Sequence, residues 1–281
     1  MRIPTWFARR FVAGDTPESA VSVGRELSAR GIRATFDLLG EDVLDRDAAR
    51  RCAEANKALL RLIPPEVERN VSVKLTNLGL DVSREFCEEL VAEVLDVARE
   101  GRGFVRIDME GSRHTQATLD VFRSLRRRHE NVGIVLQAYL RRTEEDVKEA
   151  VKLGDRVRLC KGAYKEPESI AFRRMDDVRA SFRRCARLLL DGGVRPALAT
   201  HDEGLIQDAL GYVREKSVPA DRFEFQMLYG LRPRRWDELV RAGQAVRIYV
   251  PYGTHWFPYF YRRLRERKEN IFFVLKSLLG G

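Results

Sequence analysis

Short stretches of alternating apolar and polar residues recur along the chain, and each is followed by a longer charged stretch. Alternation with a period of two is typical of a strand, whereas apolar residues three and four positions apart indicate a helix. Helix-like stretches such as 83–101 and 168–193 separate the strand-like runs. There are eight of these runs, covering residues 32–39, 70–78, 104–111, 132–140, 156–164, 195–202, 222–230 and 245–253.

Regular alternation of strands with helices predicts parallel strand pairing. Eight units in 281 residues predict an α/β protein of the (βα)8, TIM-like barrel type, whose usual size is about 250 residues. An open doubly wound sheet is the alternative. A helix over 17–31 is expected before the first strand, because Thr16 and Pro17 suit an N-cap and a first helical position. We expect a single domain over 1–281, with a C-terminal helix at the barrel mouth.

Several predicted strands carry charged and amide side chains on one face. Since the apolar face must meet the surrounding helices, this polar face is expected to point into the barrel, where unpaired charges are costly. An internal ion-pair network is one interpretation. A functional site is the other, and it is favoured because the polar residues lie towards the carboxyl ends of the strands. They include Ser72, Lys74 and Thr76; Arg106, Asp108 and Glu110; Gln137; Glu224 and Gln226; and Arg247 with Tyr249.

The composition narrows the class of protein. Hydrophobic residues make up 44% of the chain and charged residues 33%, with a net charge of +9. The basic residues are interleaved with acidic ones and are not clustered, so we expect no nucleic-acid partner, although a basic nucleic-acid-binding protein stays an alternative. Four scattered cysteines and four histidines show no metal-ligand spacing, which predicts reduced thiols and no metal. Without a signal peptide or a long apolar run, a cytoplasmic location is expected.

Motifs for other chemistries are missing from the sequence, which has no GxGxxG after a strand, no P-loop and no GxSxG elbow. His201 follows the sixth strand, where it suits either a site or a core or capping role. Lys74 or Lys161 could form a Schiff base, as in barrel lyases and aldolases.

The stretch YFYRRLRER near the C-terminus places Tyr259, Arg262, Arg263 and Glu266 on one helical stripe. Two adjacent guanidinium groups at the barrel mouth could bind a carboxylate in bidentate fashion. A solvated helix face is the alternative interpretation.

A set of segments resembles the flavin-dependent proline dehydrogenases, in order from about residue 30 to the end of the chain. RLCKGAY and YxxRRxxE are the most specific of them. The others are VKLTNLG, IDMEG, LQAYL, ATHD, FEFQMLYG and RIYVPYG.

This resemblance implies a (βα)8 barrel carrying FAD that oxidises L-proline to Δ1-pyrroline-5-carboxylate, the first step of proline catabolism. A hydride would pass from proline C5 to flavin N5, and the electrons would go on to a membrane quinone. We therefore expect a cytoplasmic enzyme at the periphery of the inner membrane. A separate pyrroline-5-carboxylate (glutamate semialdehyde) dehydrogenase is a candidate partner.

The resemblance also assigns residues. Lys74, Arg262 and Arg263 match the substrate-carboxylate ligands, and Asp108 matches the support of the ring wall and of the lysine. Arg158 looks like the arginine near flavin N5, so Arg158, Lys74 and Asp108 are the expected catalytic set. The proline ring would be walled by Tyr164, Leu228, Tyr249 and Tyr259. The flavin would be contacted by Gln137, Arg158, Lys161, Gly162, Ala163, Thr200, His201 and Glu266.

Three points stay open in the sequence. Lys165 stands where many relatives have a tryptophan against the flavin, so flavin packing cannot be carried over from them. The general base is either water or Lys74. The apolar tail 270–280 either caps the mouth or contacts a membrane.

Overall fold

The computed structural model describes residues 10–40 and 43–256, which form a closed barrel of eight parallel strands. The strands are β1 Arg33–Leu38, β2 Asn70–Val73, β3 Phe104–Ile107, β4 Val132–Gln137, β5 Val157–Cys160, β6 Ala197–Ala199, β7 Glu224–Leu228 and β8 Val246–Tyr252. The α-helices of the described ranges are α1 Pro17–Ser28, α2 Arg46–Leu62, α3 Arg84–Glu100, α4 Ser112–Arg126, α5 Thr143–Leu153, α6 Met175–Gly192, α7 Glu203–Glu215 and α8 Pro233–Arg241.

The strands neighbour one another in chain order, and β8 closes the barrel against β1. This closing seam runs from Arg33 opposite Arg247 to Leu38 opposite Tyr252. The predicted (βα)8 barrel is therefore confirmed, and the open doubly wound sheet is excluded. The predicted C-terminal helix lies outside the described residues, and a single domain over 1–281 stays a prediction.

Local signals explain where several helices begin. Thr16 caps α1 through its hydroxyl, which accepts a hydrogen bond from the Ser19 amide at 3.4 Å, and Pro17 is the first helical residue, as predicted. The Asp45 carboxylate caps α2 by accepting from the Ala48 amide at 2.8 Å, and Ser83 caps α3. Such caps satisfy amide groups that have no partner within the helix.

Most strands end earlier than the alternation predicts. β2 ends at Val73 and a 3₁₀ turn over Thr76–Leu78 follows, although the pattern continues to residue 78. The Thr76 amide leaves the sheet and donates to Glu110 Oε1 at 3.1 Å, so a side chain replaces the strand partner. Helix α6 begins at Met175 and not at residue 168, because the preceding loop pairs with Leu140 at Ala171.

The apolar strand faces pack outward against the helices, and Phe36, Val71 and Val105 among them are fully buried. The polar faces point inward, as predicted: Ser72 is within 3.2 Å of Thr35 and accepts a hydrogen bond from Arg158. Within the described ranges, no helix has both the length and the apolarity needed to cross a bilayer.

Candidate active site

Five side chains meet inside the barrel at the carboxyl ends of the strands, and we call them the mouth cluster. Each comes from a different strand or from the residue just after one, so the cluster depends on closure of the barrel. Its members are Asp37 on β1, Lys74 after β2, Asp108 after β3, Arg158 on β5 and Tyr249 on β8.

Lys74 lies at the centre of the cluster. Its ammonium Nζ donates to both carboxylate oxygens of Asp37, at 2.8 and 2.9 Å, and lies 3.9 Å from Asp108 Oδ2. The Tyr249 hydroxyl is 3.4 Å from the same nitrogen and donates to Asp108 Oδ2 at 2.8 Å. Two carboxylates and a phenol thus fix the position of one buried ammonium group.

Arg158 completes the cluster on the other side of Asp108. Its Nη1 donates to Asp108 Oδ1 at 2.8 Å, and its Nη2 donates to the Ser72 hydroxyl at 3.0 Å. The guanidinium carbon lies 5.3 Å from the centre of the Tyr249 ring. Acids and bases therefore alternate from Asp37 through Lys74 and Asp108 to Arg158, which compensates each buried charge.

The charge states follow from these contacts. Burial lowers the pKa of Lys74, but the nearby carboxylates of Asp37 and Asp108 outweigh burial and raise the pKa above its ordinary value. Lys74 is therefore an ammonium at neutral pH, which argues against its use as a Schiff-base nucleophile or as the general base. Burial and the charge of Asp108 raise the pKa of Tyr249 well above its ordinary value, so the phenol keeps its proton.

Asp37 was missed at the sequence level, although it is the closest partner of Lys74 and is only 1% exposed. A signal was available, because Arg33, Thr35 and Asp37 share one face of β1. A buried carboxylate on the inner face of the first strand predicts a cationic partner on a neighbouring strand.

A second charged group lies at the mouth, after β5 and β6. Lys161 Nζ and Arg179 Nε both donate to Asp202 Oδ2, at 3.2 and 2.8 Å. Burial opposes ionisation of Asp202, but the hydrogen bond from Arg179 and the charge of Lys161 prevail and lower its pKa to about 2. Arg179 also pairs with the exposed Asp176 at 3.2 Å, so the two cations of this group face two carboxylates. Arg179 and Asp202 were not predicted from the sequence.

His201 joins the ends of β6 and β7. Its Nε2 accepts a hydrogen bond from the Leu228 amide at 3.0 Å, and its carbonyl accepts from Arg232 at 2.8 Å. Leu228 lies opposite Tyr249 in the β7–β8 register, so the histidine supports a residue beside the mouth cluster. The Thr200 hydroxyl accepts from the Asp202 amide at 3.1 Å. Gln137 similarly ties β4 to the carbonyl of Glu110 at 2.9 Å.

The loop after β5 needs glycine at position 162. Gly162 has a φ of +101°, and a Cβ atom there would overlap the ring of Tyr139. Only glycine adopts this backbone without strain in so close an approach. Ala163 beyond it is exposed, whereas Tyr164 is partly buried and packs against Tyr139 and Leu140.

The structure thus brings together Lys74, Asp108, Arg158, Tyr249 and Leu228, which the sequence assigned to catalysis and substrate binding. Lys161, Thr200 and His201, assigned to the cofactor, lie along the β5–β7 side of the mouth. Four other assigned residues, Tyr259, Arg262, Arg263 and Glu266, lie outside the described residues, so the carboxylate clamp of Lys74 with Arg262 and Arg263 stays a prediction.

The donors at the mouth fit a flavin cofactor. Arg158 Nε is buried and has no hydrogen-bond partner in the described part of the chain, which leaves one donor for a ligand. The partly exposed ammonium group of Lys161 suits an anionic diphosphate. No group of three potential metal ligands converges anywhere in residues 10–40 and 43–256.

Comparisons with known proteins agree on one family. The sequence profile described as proline dehydrogenase matches residues 20–276. The chain is 43% identical to proline dehydrogenase 1 of Bacillus subtilis strain 168 over 273 residues, spanning 97% of this chain and 90% of the relative. It is 37% identical to the proline dehydrogenase of Deinococcus radiodurans over 284 residues, spanning 98% and 90%.

A solved structure of proline utilization A from Bdellovibrio bacteriovorus, inactivated by N-propargylglycine, has a similar fold. Its TM-score is 0.84 at 28% sequence identity, and the match covers 92% of this chain and 32% of that chain.

Proposed function

The chain belongs to the proline dehydrogenase family, and from this we propose that it oxidises L-proline to Δ1-pyrroline-5-carboxylate with FAD as its cofactor. The observation that carries the proposal is the mouth cluster, in which Lys74 is a buried ammonium at the carboxyl ends of the barrel strands. An ammonium held in this position suits a substrate that carries a carboxylate.

Lys74 supplies one cationic ligand for the proline carboxylate, and Arg262 and Arg263 supply the other two. Since the carboxylate is not the reacting group, this clamp serves to orient the ring. Tyr249 forms one wall of the ring site, and Asp108 fixes that wall by accepting the phenolic hydrogen bond at 2.8 Å. Leu228, Tyr164 and Tyr259 complete the wall.

Proline must react with its amine neutral, because the nitrogen lone pair assists departure of hydride from C5. A surplus of cations around the substrate lowers the cost of releasing the amine proton. Lys74 already carries its proton, so we propose that water accepts the proton from the amine. Tyr249 keeps its own proton, which it donates in the hydrogen bond to Asp108, and it does not take the proton from the amine.

When bound, FAD accepts the hydride at N5 and delivers the electrons to a membrane quinone. Arg158, with Nε unpartnered, would favour negative charge near N5, and Lys161 would face the phosphates. The other proposed holding residues are Gln137, Gly162, Ala163, Thr200, His201 and Glu266. An electron acceptor in the membrane requires the protein to reach the inner membrane surface from the cytoplasm. The product would pass to a separate dehydrogenase.

The test is an anaerobic visible spectrum of the purified protein before and after addition of L-proline. We expect a flavin band that bleaches with proline. A flavin band that proline does not bleach would overturn L-proline as the proposed substrate, and other cyclic secondary amines would then be tested. A colourless protein that does not take up FAD would overturn the cofactor, and trapping with borohydride would then test Lys161 as a Schiff base.

The clamp has its own test. Arg262→Met should raise the proline KM by about 10²-fold or more, because a bidentate charge-assisted contact is lost. Bound flavin should stay largely intact. Arg265 falls off the predicted stripe, so Arg265→Met is the matched control and should leave KM unchanged. An unchanged KM for Arg262→Met would contradict the clamp.

A further inference from the structure

The opposite end of the barrel interior holds a second group of charges, which we call the basal cluster. These side chains lie at the amino ends of the strands, at the other end of the barrel from the mouth cluster. Its members are Arg33 on β1, Glu68 before β2, Arg106 on β3, Arg156 before β5, Glu224 on β7 and Arg247 on β8.

Arg247 forms ion pairs with both acids of this cluster. Its Nε donates to Glu224 Oε1 at 2.8 Å, and its Nη2 donates to Glu68 at 2.9 Å. Its Nη1 donates to the Ala34 carbonyl at 2.8 Å. Arg33 approaches the same two acids, at 3.4 Å from Glu224 and 3.6 Å from Glu68. Both acids of this end are therefore in direct ion pairs with Arg247 and Arg33, and they act on Arg106 and Arg156 only over longer distances.

Arg106 and Arg156 have no carboxylate within salt-bridge distance among the residues described. Arg106 is only 3% exposed, and its Nη1 donates to the carbonyl groups of Ile134 and Arg156. The Nε atoms of both arginines are buried and lack any hydrogen-bond partner in the described ranges. Both guanidinium groups lie near the ring of Phe104, with distances of 4.9 and 4.1 Å from carbon to ring centre.

The charges of the cluster do not balance. Four arginines face two glutamates, which leaves an excess of two positive charges. The exposed Arg195 adds to this field, since its charge acts on Arg156. Arginine does not deprotonate at neutral pH, so the excess persists. A cation–π contact stabilises a cation but does not neutralise its charge.

We propose that the basal cluster binds a small oxyanion of the phosphate class, held by Arg106 and Arg156 with Arg195 contributing from the surface. A tetrahedral oxyanion offers several acceptor oxygens to planar guanidinium donors and supplies the missing negative charge. The two unpartnered Nε–H groups are the donors that such a ligand would satisfy. This site is independent of the proposed oxidation chemistry at the other end of the barrel.

Isothermal titration calorimetry of the flavin-loaded protein with inorganic phosphate, at constant ionic strength, tests the site. We expect saturable binding at one site. Arg156→Gln should weaken phosphate binding at least about tenfold, and Arg195→Gln, which removes a more distant charge, about two- to fivefold. Arg127 is an exposed arginine at the end of α4, so Arg127→Gln is the matched control and should bind as wild type does.

Two further variants keep the result decisive. Lys74→Met alters the mouth cluster alone, so it should leave phosphate binding unchanged. If Arg156→Gln does not fold, Arg156→Lys keeps the charge but loses the guanidinium fork, and it should bind more weakly. The proposal would be overturned if the heat of phosphate binding did not saturate, or if Arg156→Gln, Arg195→Gln and wild type bound phosphate with equal affinity. Either outcome would leave only a general effect of salt.

Discussion

The two ends of the barrel interior are built from the same strands but arranged differently. Strand β3 and the residue after it supply Arg106 to the basal cluster and Asp108 to the mouth cluster. Strand β8 likewise supplies Arg247 to the basal cluster and Tyr249 to the mouth cluster. At the mouth, two acids alternate with two bases and an ammonium lies between carboxylates. At the base, two acids form ion pairs with two arginines, and two more arginines have no carboxylate within salt-bridge distance among the residues described.

The difference shows that the position of a residue along its strand, and not only the face on which it lies, distinguishes residues of the candidate active site from residues that stabilise the barrel. Both clusters occupy the inner face, so period-two alternation cannot tell them apart. Barrel active sites lie at the carboxyl ends, and for this reason we propose that the mouth cluster binds proline. The basal cluster joins the amino ends of the strands through ion pairs and has the surplus of positive charge that we propose for an oxyanion. Substitutions in the mouth cluster should therefore change the kinetics of proline oxidation, whereas substitutions in the basal cluster should change the free energy of unfolding.

The largest effect is expected at Lys74. Lys74→Met removes the cation between Asp37 and Asp108, so kcat/KM for proline should fall about 10²- to 10³-fold. Steady-state kinetics normalised to flavin content measure this. Asp37→Asn keeps the ammonium group but holds it less firmly. It should lower kcat/KM about 10- to 100-fold, which is the usual effect of losing a residue that orients a binding group. Lys57→Met, on α2, is the control, and wild-type kinetics in Lys74→Met would reduce the cluster to a structural role.

A loss of stability without loss of proline binding is expected at Arg247. Arg247→Met leaves the buried Glu224 without its main partner, so the free energy of unfolding should fall by about 3–5 kcal/mol. Urea denaturation measures the fall, and proline KM of the folded fraction should hardly change. Adding Glu224→Leu removes the stranded charge and should recover part of the stability. A large rise in KM would contradict the division between the two ends.

Acid should expose the contribution of Glu224. Burial opposes its ionisation, but Arg247 prevails and lowers the pKa from 4.5 to about 2. Because the folded pKa is depressed, the stabilisation is complete above about pH 4.5 and is lost as the pH falls towards 2. The stability advantage of wild type over Glu224→Gln should therefore shrink by about 3 kcal/mol across this range. Urea curves at a series of pH values test this, and a constant difference would rule it out.

Two glycine substitutions compare the ends directly. A Cβ at Gly133 would lie 2.6 Å from the Arg156 carbonyl and 2.8 Å from Phe104 Cζ, and one at Gly162 would overlap Tyr139. Each alanine variant should lose about 1–3 kcal/mol in urea denaturation. Gly162→Ala should also lose flavin, by absorbance, whereas Gly133→Ala should keep both flavin and proline KM. Equal flavin content in the two variants would contradict this assignment of the β5 loop.

The smallest effect is expected for ion pairs on the outer helices. Arg84 and Glu88 pair at 3.1 Å on α3, and the arginine side chain is 45% exposed. Arg84→Ala should change the free energy of unfolding by no more than about 0.5 kcal/mol, because solvent screens the pair. A loss as large as that of Arg247→Met would show that burial does not decide which charges matter.

The sequence predicted the fold well because its signals are local. Alternation placed Lys74, Asp108 and Arg247 on inner faces, and Thr16 with Pro17 marked the start of α1. Strand ends were predicted less well, since the alternation continues after backbone pairing stops, as it does beyond Val73.

Partners across the barrel could not be predicted in the same way. Which acid meets Lys74 depends on strand order and register, and these are properties of the closed sheet. Arg179 reaches Asp202 from a helix outside the barrel, and no sequence period marks that contact. The residue types at the mouth were therefore predictable from the resemblance, whereas the pairing of Asp37 with Lys74 and of Arg179 with Asp202 required the three-dimensional structure.

The closing seam between β1 and β8 has a consequence for folding kinetics. It joins residues as far apart as Ala34 and Arg247, which are separated by 213 positions, whereas neighbouring βα units form from short loops. Closing so long a loop carries a high entropic cost, so we expect the seam to form late. Asp37 and Tyr249 lie on its two strands, and both contact Lys74. Lys74 meets Asp37 and Asp108 through the neighbouring strands β1 and β3, but it meets Tyr249 only when the seam has closed. Recovery of proline oxidation during refolding would therefore report that final step.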